Sequence, residues 1–274
     1  MPYGSNTDTA LNKTVTIKTL QKLKDQREKF VMVALYDAPM AGMAEKCGVE
    51  TVLIGDSLGM TVLGYQSTIP VTMEQMTYHV EAVARGNRKS LIIADLPFMT
   101  YATLEDALKN SARLMQAGAQ MIKIEGGRWL EDTVRRLSEC GIPVCAHLGL
   151  TPQSVNKFGG FRVQGRSPEQ AEEIAEDAGI LSEAGADLLV LECVPSELAA
   201  RITREIPIPT VGIGAGRDTD AQVLVINDIL GLTEQPPKFS KNFLTEAGDI
   251  PGALKKYVAD VKAGEFPSDD HIFL

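Results

Sequence analysis

A (β/α)8 barrel of the TIM type, formed by residues 1–274 as a single domain, is the fold this sequence predicts, and three observations predict it. Short apolar runs alternate with helix-like amphipathic segments along the chain, as in a parallel sheet covered by helices. Three of these units share one outline: CGVETVLIGD (47–56), AGAQMIKIE (117–125) and AGADLLVLE (184–192) each place a glycine where a helix ends, then a Val/Ile/Leu-rich strand, then an acid. Length and repeat count favour a closed barrel over an open doubly wound sheet, because eight such units need roughly 250 residues.

In chain order, TIKTLQKLKDQREK (16–29) is an extra helix ahead of the first strand. Strands follow at FVMVALYD (30–37), CGVETVLIGD, SLIIADLPF (90–98), AGAQMIKIE, IPVCAHLGL (142–150), AGADLLVLE and IPTVGIGAG (208–216). The eighth strand is expected at PPKFSKNF (236–243), because a helical stretch around ALKKYVADV comes after it. TPQSVNKFGGFRVQGRSPEQ (151–170) reads as a long loop after strand five, and long loops on compact scaffolds are often functional. GIGAGR (212–217) fits either a phosphate-cradling loop or a tight turn. The tail GEFPSDDHIFL, polar and then apolar, either closes over a neighbour or frays.

Composition removes several function classes. With 44% hydrophobic and 23% charged residues the chain is ordinary globular material, and its longest apolar runs fall well short of the roughly 20 residues a membrane span needs. A formal net charge of −9 with no basic stripe argues against a nucleic-acid surface. Cys47, Cys140, Cys145 and Cys193 form no C-x-x-C pair and lie in apolar contexts, which fits reduced, mostly buried thiols. MPYGSNTDTALNKTVT shows neither a secretory nor a mitochondrial signal, so a cytoplasmic address is expected.

In barrels the site lies at the carboxyl ends of the strands. Asp56, Asp95, Glu125 and Glu192 end strands two, three, four and six, so four acids are expected at one rim. Two like charges 4 Å apart cost roughly 4 kcal/mol at an effective dielectric of 20, so a cation must sit among them. A hard divalent ion such as Mg²⁺ suits oxygen ligands, and with only three histidines a zinc site is poorly supported. Lys123, two positions before Glu125 and on the same strand face, can neutralise an anionic substrate group or hold a carboxylate. Set against this, a buried Lys–Glu pair can merely order a barrel. Ser57 sits among glycines that let backbone approach a ligand, and no nucleophile elbow surrounds it. His147 closes strand five on the same rim, as a proton relay or a structural histidine.

GDSLGMTVLG, STIPVT, ADLPFM, KIEGG, HLGLTPQSVN, FGGF, VQGR, LLVLECVP, GIGAG and KFSKNF, in this order, resemble the ketopantoate hydroxymethyltransferase family from about residue 15 to the C-terminus. The resemblance implies a barrel of the phosphoenolpyruvate mutase-like group, assembled as a homodecamer of two five-membered rings. It implies a magnesium ion held by Asp56, Asp95 and Glu125, directly or through water, with the oxo acid chelating it. Ser57 and Lys123 match substrate-contacting positions beside Asp56 and Asp95, and Glu192 matches the general base. The implied reaction joins a one-carbon unit from 5,10-methylenetetrahydrofolate to 3-methyl-2-oxobutanoate, giving 2-dehydropantoate for pantothenate synthesis. One departure is GYQST (64–68), where Tyr65 and Gln66 replace a His-Asp pair and put loop closure or folate contact in question. Two other readings compete: a Mg-dependent mutase or C–C lyase acting on another oxo acid, and a non-catalytic anion-binding barrel.

Overall fold

A computed structural model describes residues 11–273; residues 1–10, part of the stretch behind the cytoplasmic expectation, and Leu274 lie outside the described residues. Eight parallel strands close into a barrel in sequence order: β1 (Phe30–Ala34), β2 (Thr51–Ile54), β3 (Leu91–Asp95), β4 (Met121–Glu125), β5 (Val144–Gly149), β6 (Leu188–Glu192), β7 (Thr210–Ile213) and β8 (Ala221–Val225). Closure runs along the whole first strand, from Phe30↔Ala221 to Ala34↔Val225. The helices are α1 (Ile17–Gln26), α2 (Ala38–Lys46), α3 (Leu58–Thr61), α4 (Met73–Gly86), α5 (Leu104–Ala117), α6 (Glu131–Glu139), α7 (Val155–Phe158), α8 (Pro168–Glu183), α9 (Ser196–Glu205), α10 (Ile226–Ile229), α11 (Leu244–Ala247) and α12 (Ile250–Ala263). Among the described residues, no helix is long and apolar enough to cross a membrane.

Local chemistry sets these boundaries. Thr72 and Gln75 form a reciprocal capping box at the start of α4, and Asp37 accepts from the Met40 amide at the start of α2. Gly118 ends α5 in the left-handed region, turning the chain into β4 as the repeated helix–glycine–strand outline predicts.

Strand side chains alternate, and the barrel sorts them into two cores. Outward residues such as Val31, Val33, Ile54, Ile122 and Leu189 pack against the helices. Inward residues fill the interior in layers, with Phe30, Met32, Ile93, Met121, Cys145, Leu188 and Val190 in one apolar cluster. The predicted extra helix, α1, closes the bottom of this cluster through Leu20, and Lys24 pairs with Asp220 at 2.9 Å. The next inward positions up the strands are Asp95, Lys123, Glu125, His147 and Glu192. The same alternation that fills the barrel with hydrocarbon therefore fills its top with charge.

One sequence expectation is corrected and one open alternative is decided. The eighth strand is Ala221–Val225, not 236–243. No helix separates β7 from β8, and the residues between them are a short loop. A parallel connection can be this short here because Ala221 lies opposite Val211, so the chain drops only to mid-height of β7 before re-entering the sheet. GIGAGR therefore makes a turn and not a helix-start phosphate cradle, and a Cβ on Gly216 would lie 2.6 Å from the Ser196 side chain.

The 236–243 segment is irregular and ends on Phe243, which is fully buried. Its ring packs edge-on against Tyr257 and Phe266, each at 5.4 Å. Tyr257 on α12 donates to the Met32 and Gln222 carbonyls, fastening this aromatic cluster to the β1–β8 seam. Phe243→Ala should therefore cost about 3–5 kcal/mol of unfolding free energy, the usual penalty for emptying a buried aromatic site. Urea unfolding followed by circular dichroism measures it, and a loss below about 1 kcal/mol would show that the segment is peripheral to the closed barrel.

Candidate active site at the top of the barrel

Asp95 and Glu125 are the last residues of β3 and β4, and Asp56 comes two residues after the end of β2. The Asp56 amide donates to Asp95 Oδ2 at 3.1 Å, so the turn after β2 is fastened to the end of β3. One carboxylate oxygen from each of the three acids lies within 4.8 Å of the others, and all three residues are buried. The convergence expected from the strand ends is present.

Lys123 stands one layer below. Its Nζ lies 3.0 Å from Asp95 Oδ2 and 3.5 Å from Glu125 Oε1, with these side chains 5% or less exposed. Burial alone would push the ammonium down in pKa, but Asp95, Glu125 and Asp56 together hold it above its ordinary value. One lysine offsets one of three negative charges. Burial, with the charges of Glu125 and Asp95, consequently pushes Asp56 well above the ordinary carboxylate range. Asp95 is also raised by burial, against the pull of Lys123. For Glu125 the burial penalty is outweighed by Lys123 and His147, and its carboxyl sits low.

Asp95 Oδ1 is buried without a hydrogen-bond partner. A buried, unpartnered carboxylate oxygen is costly unless something cationic meets it. An all-oxygen donor set of three crowded acids fits a hard divalent cation.

His147 links this cluster to Glu192. Its Nδ1 lies 3.2 Å from Glu125 Oε1, and its Nε2 lies 3.2 Å from Glu192 Oε2 without the alignment of a hydrogen bond. Burial and Lys123 push the imidazole down, yet Glu125 and Glu192 outweigh them and carry its pKa up to about 9. The Glu192 side chain is 16% exposed, against 3% for Glu125, so it opens toward the cavity while the other acids line its floor. The backbone around Glu192 is tightly held. Leu150 N donates to Glu192 O at 2.8 Å, and a Cβ on Gly149 would lie 2.3 Å from that oxygen. Cys193 adopts φ 47, a left-handed conformation secured by its amide to Ile213 O and its carbonyl to Gln164 N.

These groups face one cavity of about 540 Å³, whose lining includes Asp56, Ser57, Asp95, Lys123, Glu125, His147 and Glu192. Ser57 Oγ shares a 2.9 Å hydrogen bond with Tyr36 OH, whose pKa burial pushes up to about 12 against the pull of that bond. The mouth is lined by Phe161, Phe239 and Phe273 among others. The tail closes on its own chain: Ser196 N donates to Phe273 O, and Lys238 Nζ donates to Ile272 O while lying 5.4 Å from the Phe273 ring centre. Tyr65 and Gln66, the departures noted above, do not line this cavity; Tyr65 OH accepts from Gln75 Nε2 beside α4. Cys47, Cys145 and Cys193 are buried free thiols and Cys140 is exposed.

Sequence reasoning missed Tyr36, Tyr101 and Gln153. Gln153 lies in the 151–170 loop and in the stretch HLGLTPQSVN, neither of which by itself assigns it a role.

The model of the family described as ketopantoate hydroxymethyltransferase matches residues 14–269. A 3-methyl-2-oxobutanoate hydroxymethyltransferase of Saccharophagus degradans is 74% identical over 97% of this chain and 99% of its own length. One from Stutzerimonas stutzeri is 59% identical over 94% of this chain and 98% of its own. Solved structures with the same fold include a phosphonopyruvate hydrolase in complex with oxalate and Mg²⁺, with a TM-score of 0.61 and 14% identity over 94% of this chain and 93% of that one. A phosphoenolpyruvate phosphomutase from Streptomyces platensis has a TM-score of 0.59 and 14% identity over 79% of this chain and 82% of that one. At such identities the likeness concerns the barrel alone.

The charge balance yields a direct test. Lys123→Met removes the ammonium that lies against Asp95 and Glu125, and losing one partner of a buried ion pair costs about 3–5 kcal/mol. Unfolding in chelator should show that loss, and added Mg²⁺ should recover more stability in the variant than it adds to the wild type. Equal gains in both proteins would contradict this charge balance.

Proposed function

This chain belongs to the ketopantoate hydroxymethyltransferase family, and we propose that it moves a one-carbon unit from 5,10-methylenetetrahydrofolate to C3 of 3-methyl-2-oxobutanoate, forming 2-dehydropantoate in pantothenate synthesis. The observation that carries this reading is the acid cluster with its unpartnered Asp95 Oδ1 on the floor of the cavity that Glu192 also faces. Overall, the oxo acid loses its C3 proton and gains a CH₂OH group whose hydroxyl comes from one water, and the C3 proton and the remaining water proton end on the two folate nitrogens that the methylene had bridged.

Asp56, Asp95 and Glu125 would hold the magnesium ion, directly or through water. When bound, magnesium supplies Lewis acidity to an oxo acid that chelates it. The protein's own groups divide the remaining work. Glu192, more open than the other acids and outside their cluster, takes the C3 proton. His147 lies between Glu192 and Glu125, 3.2 Å from each, and positions the base. Lys123 holds positive charge beneath the oxygen on which negative charge develops as the proton leaves. Ser57, fixed by Tyr36, offers a hydroxyl to the substrate's carboxylate. The aromatic mouth and the folded-back tail exclude water from the reacting carbon.

The same reading extends to a cytoplasmic address and a homodecamer. Exposed Tyr78, Met99 and Leu232 are apolar surface that subunit contacts would cover.

Deuterium exchange at C3 of the oxo acid, measured with Mg²⁺ and no folate, isolates the proton-transfer step. Glu192→Gln should slow it by 10²–10⁴-fold, the usual contribution of a general base, while leaving oxo-acid binding within a few-fold of wild type. Exchange at the wild-type rate would remove Glu192 from the role. With folate donor added, wild-type protein should form 2-dehydropantoate; C–C cleavage without folate would favour the lyase reading instead.

A further inference from the structure

Gln153 has none of the roles above, yet its side chain donates to one acid of the cluster and its backbone amide to another. It is 5% exposed and sits on a 3-10 turn, Pro152–Ser154, in the loop after β5. Its Nε2 donates to Asp56 Oδ2 at 2.8 Å and to Leu96 O at 2.9 Å, and its backbone amide donates to Glu125 Oε2 at 3.0 Å. Its Oε1 accepts from Tyr101 OH at 2.6 Å. The amide orientation follows from its surroundings: the Leu96 carbonyl facing Nε2 can only accept, so the NH₂ must point to it and the oxygen to the tyrosine hydroxyl. One residue thus ties together acids from two different strand ends, and all four bonds are buried.

Tyr101 is anchored in turn. Its hydroxyl lies 3.1 Å from Glu125 O, and its ring stacks on Trp129 at 6.3 Å with a 12° interplanar angle. Trp129 can lie there because residue 126 is glycine: a Cβ at Gly126 would come within 2.5 Å of the indole. Trp129 is the only tryptophan of the chain and is 63% exposed.

We propose that Gln153 is a positioning residue for the cation site: with Tyr101 it holds the Asp56 and Glu125 carboxylates in place from outside and couples them to Trp129 at the surface. An amide suits this role because it donates to carboxylates without adding charge. A lysine there would compete with the cation, and a glutamate would repel Asp56. The proposal rests on reading Asp56, Asp95 and Glu125 as the cation's ligands. Outer partners of metal ligands typically contribute 10–100-fold in metal affinity.

The test is calorimetric titration of the full-length protein with Mn²⁺ alone, for wild type, Gln153→Leu and Tyr101→Phe, alongside urea unfolding of each metal-free protein and Trp129 emission during the titration. Gln153→Leu should weaken Mn²⁺ binding by 10–100-fold and Tyr101→Phe by a smaller factor. The metal-induced change in Trp129 emission should shrink in both at saturating metal. A structural role alone would lower the urea midpoint and leave the dissociation constant and the emission change at wild-type values, and that result overturns the proposal. If Gln153→Leu does not fold, Tyr101→Phe decides, since it removes only a hydroxyl: weakened binding supports the proposal and unchanged binding overturns it. A wild type that binds no Mn²⁺ removes the cation reading and this one with it, whereas tight wild-type binding with unchanged variants removes this one alone.

Discussion

Three carboxylates buried within 4.8 Å of one another, with one lysine beneath them, are the constraint around which the top of this barrel is organised. At such separations each pair of charges repels by roughly 4 kcal/mol even in a moderately polarisable surrounding. The fold meets that cost in part through Lys123, hydrogen bonds from Gln153 and the Asp56 amide, and the imidazole of His147. These groups do not fully offset the crowding, and Asp56 lies well above the ordinary carboxylate range. On the proposed reading a divalent cation would relieve the remaining repulsion, so that its affinity would draw on it.

Strand periodicity explains why the chemistry sits where it does. Inward positions two residues apart stack into layers, so Met121 belongs to the sealed apolar interior, Lys123 to the layer above and Glu125 to the rim. Moving any of these strands by one residue would turn its charged side chains into the helix layer, where no partner exists for them. The pairing Asp95↔Lys123 and Glu125↔His147 across neighbouring strands carries the same logic around the circumference. Glu192, on the far side of His147, shares the cavity but lies outside the acid cluster, a separation that suits the different roles proposed for it and for the cluster.

Much of this was legible in the amino-acid sequence, for identifiable reasons. Seven strands are readable because strands covered by helices on one side and filled barrel on the other become continuous apolar runs. The rim acids are readable because they end such runs. β8 escapes because Ala221–Val225 follows β7 through a loop too short to contain the helix that the repeat leads one to expect. PPKFSKNF imitates a strand because its phenylalanines belong to the cavity mouth and to the aromatic cluster beside α12, two burial sites unrelated to a sheet. Gln153 and Asp56 stand 97 positions apart, and no one-dimensional pattern brings a neutral amide in a loop to a strand-end acid. Tyr36 and Tyr101 escape for the same reason: their hydroxyls matter through what the closed barrel sets beside them.

The most direct measurement is an anomalous difference map from crystals grown with Mn²⁺ and 3-methyl-2-oxobutanoate. The account predicts a single strong peak enclosed by Asp56, Asp95 and Glu125, with C3 of the oxo acid turned toward Glu192. No peak at that position, or one centred on Glu192 instead, would contradict it.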